Sequence, residues 1–353
     1  MHHKFELSSV IRTILAFPRI PSYTYKPLDG PLSSIRLILL QPAPYLTSPI
    51  RCRLIETPWN RGKGGVYDGQ GYVALSYTWG NPQPQSKVEI DGRSFRITEN
   101  LERALRSMRL QRKELRLWAD SICINQDDVE ERNQHVRQMR DIYSAAEQTT
   151  IFLGEATEAS DIVLHAIKDA KHELSEAKTR NAVVKSLMKV SGLRRTELAA
   201  KALQVLWRPY WMRMWIFQEI VVSHNPWVQC GSVRVPWDDF CQAMVALLHS
   251  DSNQFGAGYG IEPKRRLEDI FWERRSWRHA QGVVQSVPNW DMASGHEFEN
   301  RMNLLDLLVT KRGSEASDSR DMVFAISGIA TKPKEWDPVS ITYEKSPALV
   351  YMR

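Results

Sequence analysis

The sequence predicts an α/β protein built on a parallel β-sheet, and the order of its apolar segments carries this prediction. Residues 72–80 form a short apolar and aromatic run bounded by Gly71 and Pro82, as is typical of a buried central strand. Strand-like segments at 115–120 and 149–154 follow, and apolar residues at helical spacing separate the three runs. Alternating strands and helices imply parallel strands joined by right-handed crossovers.

The connecting elements have local signals of their own. The Asp91-Gly92 pair lies between two alternating runs and predicts a β-hairpin over residues 87–97. A helix capped by Thr98 or Asn100 follows it. Residues 155–206 have a helical pattern throughout, rich in Ala, Leu, Lys and Glu, which predicts a long helical insertion before the next part of the sheet.

Two segments ahead of the central strand are also strand candidates. Residues 35–40 and 51–55 are short and apolar enough, and three prolines at positions 42, 44 and 49 separate them. Because proline cannot donate to a sheet ladder, we expect these segments to be edge strands.

The composition is that of an ordinary globular protein with a mild basic excess. The 353 residues are 42% hydrophobic and 25% charged, enough for one large domain or two moderate ones. The 47 Lys and Arg against 41 Asp and Glu do not by themselves indicate nucleic-acid binding. Residues 264–278 mix basic and aromatic side chains, but interleaved acids favour a surface helix there, so nucleic acid is not an expected partner.

Cysteine usage and hydropathy indicate a cytoplasmic protein. The four cysteines have neither Cys-x-x-Cys nor zinc-ligand spacing, which favours a reduced compartment and no metal site. His165, Asp169 and His172 share a helix face, and we interpret it as a solvated face. No apolar run approaches the ~18 residues that span a bilayer, and residues 5–17 lack a secretion cleavage site.

The polar and aromatic residues that end the predicted strands are candidate ligand contacts. In open α/β sheets the ligand crevice lies beyond the carboxyl ends of the strands. Ser76, Tyr77 and Trp79 end the first strand, and Asp120 ends the second. The sequence therefore predicts a site at this edge of the sheet.

The densest aromatic cluster carries an unusual carboxylate. Residues 207–222 include Trp211 and Trp215 at helical spacing, and Glu219 lies one turn beyond Trp215. A carboxylate on an aromatic face is costly unless it is paired or has a function.

Three of these segments resemble the signature blocks of the fungal heterokaryon incompatibility (HET) domain. The blocks are residues 72–80, 117–126 and 213–219, in that order, and residues 320–325 resemble the segment that often follows. The resemblance implies a sheet like that of Toll/interleukin-receptor (TIR) domains, which is flavodoxin-like.

The resemblance also implies a domain organisation. We expect an N-terminal extension over residues 1–70 and a HET domain over residues 71–240. The helical insertion at 155–206 interrupts that domain, and a mostly helical region over residues 241–353 follows it.

The stretch Trp215-x-x-x-Glu219 is similar to one in NAD-cleaving TIR domains, so the resemblance implies that Glu219 is catalytic and that NAD⁺ or a related nucleotide is the substrate. We expect no cofactor beyond that substrate. The expected partners are a second copy of the chain or an upstream receptor. The implied substrate-binding residues are Ser76, Tyr77, Trp79, Gly80, Asp120, Asn125, Arg213 and Trp215.

Structural alternatives remain open for both carboxylates. Glu219 would equally suit a buried ion pair with an arginine, and Asp120 would suit capping the backbone amides of the loop after it. A catalytic role corresponds to an enzyme of fungal nonself recognition that cleaves NAD⁺ and triggers cell death. A structural role corresponds to a non-catalytic interaction module that relays a death signal.

Overall fold

The computed structural model describes residues 21–29, 34–60, 65–66, 70–81, 83, 85–249, 261–282, 303–330, 341–344, 346–347 and 350. Within these ranges the strands are β1 (Ser34–Leu40), β2 (Arg51–Asn60), β3 (Gly65–Val66), β4 (Val73–Tyr77), β5 (Ser86–Ile90), β6 (Arg93–Ile97), β7 (Leu115–Trp118), β8 (Gln148–Phe152), β9 (Pro226–Cys230) and β10 (Val233–Pro236).

These strands form one mixed sheet with a parallel centre. Its order is β10-β9-β8-β4-β7-β1-β2-β5-β6, and β3 pairs with β2 beside this path. The neighbours β7, β4, β8 and β9 run parallel, and in chain order these four strands are arranged 2-1-3-4, as in flavodoxin-like sheets. The predicted α/β class is confirmed, and so is the hairpin β5–β6, which turns at Asp91 and Gly92, both with positive φ.

The prediction that residues 35–40 and 51–55 form edge strands is wrong. Strand β1 lies between β7 and β2, pairing antiparallel with both, and all seven of its residues are buried. Strand β2 lies between β1 and β5. The prolines at 42, 44 and 49 fall in the connection between the two strands, so they remove no ladder hydrogen bond from either strand.

The helices follow the predicted pattern. They are α1 (Glu99–Met108), α2 (Asp120–Cys123), α3 (Val129–Ala145), α4 (Glu158–Asp169), α5 (Lys171–Glu176), α6 (Arg180–Ser191), α7 (Arg195–Leu206), α8 (Ile216–Val221), α9 (Trp237–Leu248), α10 (Ile261–Ala280), α11 (Leu304–Thr310) and α12 (Asp321–Ser327). Thr98, one of the two predicted caps, accepts a hydrogen bond from the backbone amide of Leu101 and so begins α1. None of the described helices combines the length and the apolar character needed to cross a membrane.

The predicted helical insertion consists of α4 to α7, which pack with α9 beside the β9–β10 end of the sheet. Helix α8 is short and buried on all sides, because it contacts β8, α3, α10 and α12. Its six residues all lie in the interior. This central position means that polar groups on α8 must find partners inside the protein.

The prediction of a surface helix over residues 264–278 is wrong for its centre. Glu273, Arg274 and Arg275 of α10 are buried. Arg274 donates to the carbonyl oxygens of Ile220 at 2.8 Å and Val221 at 3.3 Å, and so satisfies carbonyls at the end of α8. Glu273 and Arg274 are thus buried together with hydrogen-bond partners, Lys311 for the first and the carbonyl oxygens of α8 for the second.

The buried pair of Glu273 with Lys311, 2.6 Å apart, predicts a stability that falls as the pH rises. Burial raises the pKa of Glu273 to about 7, although Lys311 lowers it. The folded protein keeps this proton up to about pH 7, whereas the unfolded chain releases it near pH 4.5, so the unfolding free energy decreases between these values. We expect a loss of about 3 kcal/mol from this group, measured by urea denaturation at pH 5 and pH 8.

The matched comparison is the double variant Glu273→Gln, Lys311→Met, which removes both charges of the pair. Its stability should depend less on pH in this window. An unchanged pH dependence in the double variant would show that Glu273 is not the group responsible.

Candidate functional site

A cleft of about 520 Å³ opens beyond the carboxyl ends of β4 and β7. This volume lies in the range of small-molecule sites in proteins. We call it the strand-end cleft. Its inner wall consists of Trp79, Gly80, Asp120, Arg213 and Trp215, together with loop residues between Asp120 and α3.

Four of the sequence-predicted residues do not line the strand-end cleft. Ser76, Tyr77 and Glu219 are buried beneath it, and Asn125 lies in the adjoining loop. The Tyr77 hydroxyl bonds to the Ser121 hydroxyl at 2.6 Å, which ties β4 to the loop after β7. Of the predicted site residues, some therefore line the cleft and the others lie in the layer of the protein next to it.

Trp79 is held at the mouth of the cleft by Asp120. Its indole Nε1 donates to the Asp120 carboxylate, at 3.0 Å from Oδ2 and 3.2 Å from Oδ1. The indole is 38% exposed. Gly80 follows with a φ of 75°, a conformation that favours glycine, and Asn100 closes this turn by donating to the Thr78 carbonyl oxygen. The turn thus fixes an aromatic ring that remains open to ligand.

Asp120 also accepts a hydrogen bond from the backbone amide of Ser121 at 2.7 Å, which is the loop-capping geometry considered as its alternative role. Burial raises the pKa of Asp120, although Arg213 and the Trp79 indole lower it. Its carboxylate is therefore already engaged by donors from the protein.

Glu219 lies behind Arg213, within the protein interior. It is 1% exposed and accepts a short hydrogen bond from the Ser76 hydroxyl, which itself bonds to Tyr210 at 2.5 Å. Its Oε1 is 3.6 Å from Nη2 of Arg213. Burial raises the pKa of Glu219, whereas Arg213 and Ser76 lower it. The buried ion pair considered as an alternative for Glu219 is thus the geometry that the structure shows.

Arg213 connects this interior carboxylate to the cleft. Burial opposes its charge, but Glu219 and Asp120 outweigh this effect and raise its pKa, so the guanidinium stays charged. Its side chain is 17% exposed. The buried Nη1 has no hydrogen-bond partner in the part of the chain that the structure describes. Arg213 therefore contributes a cationic charge to the cleft wall, while its Nη1 lies beneath the surface.

Asn125 shapes the loop that leads to α3. Its backbone amide donates to Glu131 Oε1 at 2.7 Å, and its side-chain oxygen accepts from the amide of Asp127 at 3.3 Å. Its neighbours Ile124 and Gln126 line the cleft instead.

Sequence reasoning missed the outer wall of the cleft, which consists of residues 315–318, Asp321 and Tyr343. We call this the C-terminal wall. The ring of Tyr343 lies between two guanidinium groups, 4.5 Å from Arg132 and 5.0 Å from Arg320, and its hydroxyl donates to Asp321 at 2.5 Å. The resemblance at residues 320–325 was the available signal for this part.

Comparisons with known proteins agree with the resemblance seen in the sequence. Residues 72–219 match the family model "Heterokaryon incompatibility protein (HET)". This part of the chain is therefore similar to HET domains. Heterokaryon incompatibility protein 6, OR allele, of Neurospora crassa is 37% identical over 165 residues, covering 43% of this chain and 23% of that relative. The chain thus spans less than a quarter of the relative's length, and no solved structure gives a significant match.

The inner wall of the strand-end cleft lies within the residues that match the HET family model, and the C-terminal wall lies outside them. The two parts are joined by backbone hydrogen bonds, from Met214 to the Glu315 carbonyl at 2.9 Å and from Glu315 to the Met212 carbonyl at 2.6 Å. The candidate site is therefore larger than the family match.

Proposed function

We propose that this chain acts in fungal nonself recognition and contributes to a cell-death response. The observation that carries the proposal is the HET domain, supported by the similarity to a Neurospora protein named for heterokaryon incompatibility. Because the chain covers only 23% of that relative, the proposal is limited to what the HET-like residues contribute to this response.

For the molecular activity, we propose that the strand-end cleft binds NAD⁺ or a related nucleotide and that the nicotinamide–ribose bond is cleaved. Such cleavage passes through an oxocarbenium-like state, which a nearby carboxylate stabilises. Glu219 is the residue that the TIR resemblance assigns to this role. Arg213 lines the cleft and Glu219, which is paired with it at 3.6 Å, does not, so contact between Glu219 and a ribose requires side chains to rearrange.

The test is the release of nicotinamide from NAD⁺ by the purified, concentrated chain. Glu219→Gln is the informative variant, because a glutamine oxygen still accepts the hydrogen bond from Ser76. Glu114→Gln, which changes an exposed surface carboxylate, is the matched control. Release by wild type and control but not by Glu219→Gln would support cleavage through Glu219. No release by wild type would remove the enzymatic proposal.

The burial of Glu219 in an ion pair favours a second candidate, a non-catalytic interaction module that relays the death signal through self-association. Expression in fungal cells separates the two. A Glu219→Gln variant that still self-associates and still causes death would support the module, whereas loss of death with intact association would exclude it.

A further inference from the structure

We propose that the strand-end cleft is an anion site centred on Arg213, and that its ligand carries an anionic group on a flat ring system, as a nucleoside diphosphate does. This inference rests on the proposed function only in taking the same cleft as the ligand site. It does not require the ligand to be cleaved.

The guanidinium of Arg213 is only partly paired within the protein. Glu219 faces its Nη2 at 3.6 Å, while its buried Nη1 makes no hydrogen bond to any residue that the structure describes. Buried polar groups are nearly always paired, and a charged donor without a partner carries a large penalty. An arginine fork matches the oxygens of a phosphate or carboxylate. Because 17% of the Arg213 side chain is exposed, a shift of the guanidinium towards the cleft would let such a group become the partner of Nη1.

Two acidic residues of the same cleft, Asp120 and Asp318, are hydrogen-bonded within the protein. Asp120 is bonded to Trp79 and Ser121. Asp318 accepts from Arg320 Nε at 2.8 Å and Nη2 at 2.5 Å. Both of these carboxylates are therefore already engaged within the protein.

Two further acidic residues, Asp321 and Glu315, line the cleft. Asp321 accepts from the Tyr343 hydroxyl, and burial raises its pKa, which favours its neutral form. Glu315 lies at the exposed rim. Opposite them, Arg132 adds a second cation whose Nε has no partner among the residues described. The charge pattern therefore allows an anion to bind in the cleft.

The aromatic side chains of the cleft favour a ligand with a flat ring system next to its anionic group. Trp79 and Trp215 line the same cleft as Arg213, whereas the ring of Tyr343 is already in contact with Arg132 and Arg320. Asp120 holds the edge of the Trp79 indole at Nε1, so the ring is fixed before ligand arrives and its face remains free for stacking. Aromatic faces bind bases without sequence or substituent preference. A ligand with a flat ring next to an anionic group would contact the Trp79 ring and the Arg213 guanidinium together.

In this arrangement Glu219 is a positioning residue for Arg213, and Asp120 is a positioning residue for Trp79. The two carboxylates that the sequence singled out thus act through a neighbouring cation and a neighbouring ring.

The experiment measures binding of ADP, adenosine and inorganic pyrophosphate to the full chain by calorimetry. Wild type should bind ADP more tightly than either part alone. The variant Arg213→Gln, Glu219→Gln removes both charges of the buried pair, so no uncompensated charge is left inside. It should bind ADP about 10- to 100-fold more weakly and lose pyrophosphate binding, while adenosine binding changes little.

Two further variants make the result specific. Arg53→Gln, Glu114→Gln removes an exposed pair with the same change in charges and should bind ADP as wild type does. Trp79→Ala should weaken ADP and adenosine but leave pyrophosphate unchanged. If the double variant at 213 and 219 loses its circular dichroism spectrum, Arg213→Lys replaces it, and ADP binding several-fold weaker is expected because the fork is lost.

ADP binding that is equal in wild type and in a folded Arg213 variant would overturn the inference. So would the absence of binding by both ADP and pyrophosphate to wild type. Arg213-dependent ADP binding without any release of nicotinamide from NAD⁺ would support the inference and remove only the proposed cleavage.

Discussion

Replacing Glu219 with alanine is expected to lower the free energy of unfolding by about 3–5 kcal/mol. The substitution leaves the Arg213 charge without its buried counterion and removes the acceptor for the Ser76 hydroxyl. Chemical denaturation of the purified variant measures the loss directly.

Glu219→Gln is the matched variant, because it keeps an acceptor for Ser76 and should lose clearly less stability than Glu219→Ala. A loss below about 1 kcal/mol for alanine, comparable to an average substitution, would contradict the buried ion pair. The prediction bears on functional assays as well. A Glu219→Ala protein that fails to cause cell death does not by itself identify a catalytic acid, since partial unfolding would have the same effect.

The second large effect is expected at Glu131. Glu131→Ala should also cost about 3–5 kcal/mol, because Arg36 is 4% exposed and would lose its counterion. The Glu131 carboxylate accepts from Arg36 Nη1 at 2.5 Å and Nη2 at 3.1 Å, and its Oε1 also accepts from the Asn125 amide. The substitution therefore loosens the loop that leads from Asp120 to α3. Thermal or urea unfolding gives the magnitude.

The adjacent residue provides the control for Glu131. Glu130 is exposed and accepts only a hydrogen bond from the Gln134 side chain among the contacts described for it. Glu130→Ala should stay within about 0.5 kcal/mol of wild type. Equal losses at positions 130 and 131 would indicate a helix effect common to both variants and would argue against the Arg36 pair.

The parts of the fold that were predictable depend on residues close together in the sequence. The central strand, the hairpin at Asp91-Gly92 and the helical insertion each follow from local apolar spacing or turn chemistry. The place of β1 was not predictable in this way. Its neighbour β7 begins 75 residues after the end of β1, at Leu115, and the local prolines suggested an edge.

The candidate site shows the same division between local and distant information. That Trp79 and Asp120 meet at one edge of the sheet follows from strand order, which the sequence indicated, whereas the family resemblance alone placed Arg213 there. Whether Glu219 faces the cleft or the interior depends on the rotation of α8 against β4, and helical spacing does not determine that rotation. The C-terminal wall depends on contacts such as the one between the Tyr343 amide and Asn133, 210 residues apart.

The position of β1 has a practical consequence for work with the HET-like residues 72–219 alone. The family match starts at residue 72, but β1 and β2 precede it, and β1 hydrogen-bonds to the outer side of β7. A fragment beginning at residue 72 would keep the pairing of β7 with β4 but leave the backbone groups on the other side of β7 unpaired and exposed to other chains. Uncovered strands of this kind promote aggregation, so fragments that retain Ser34–Leu40 are the ones suited to solution experiments.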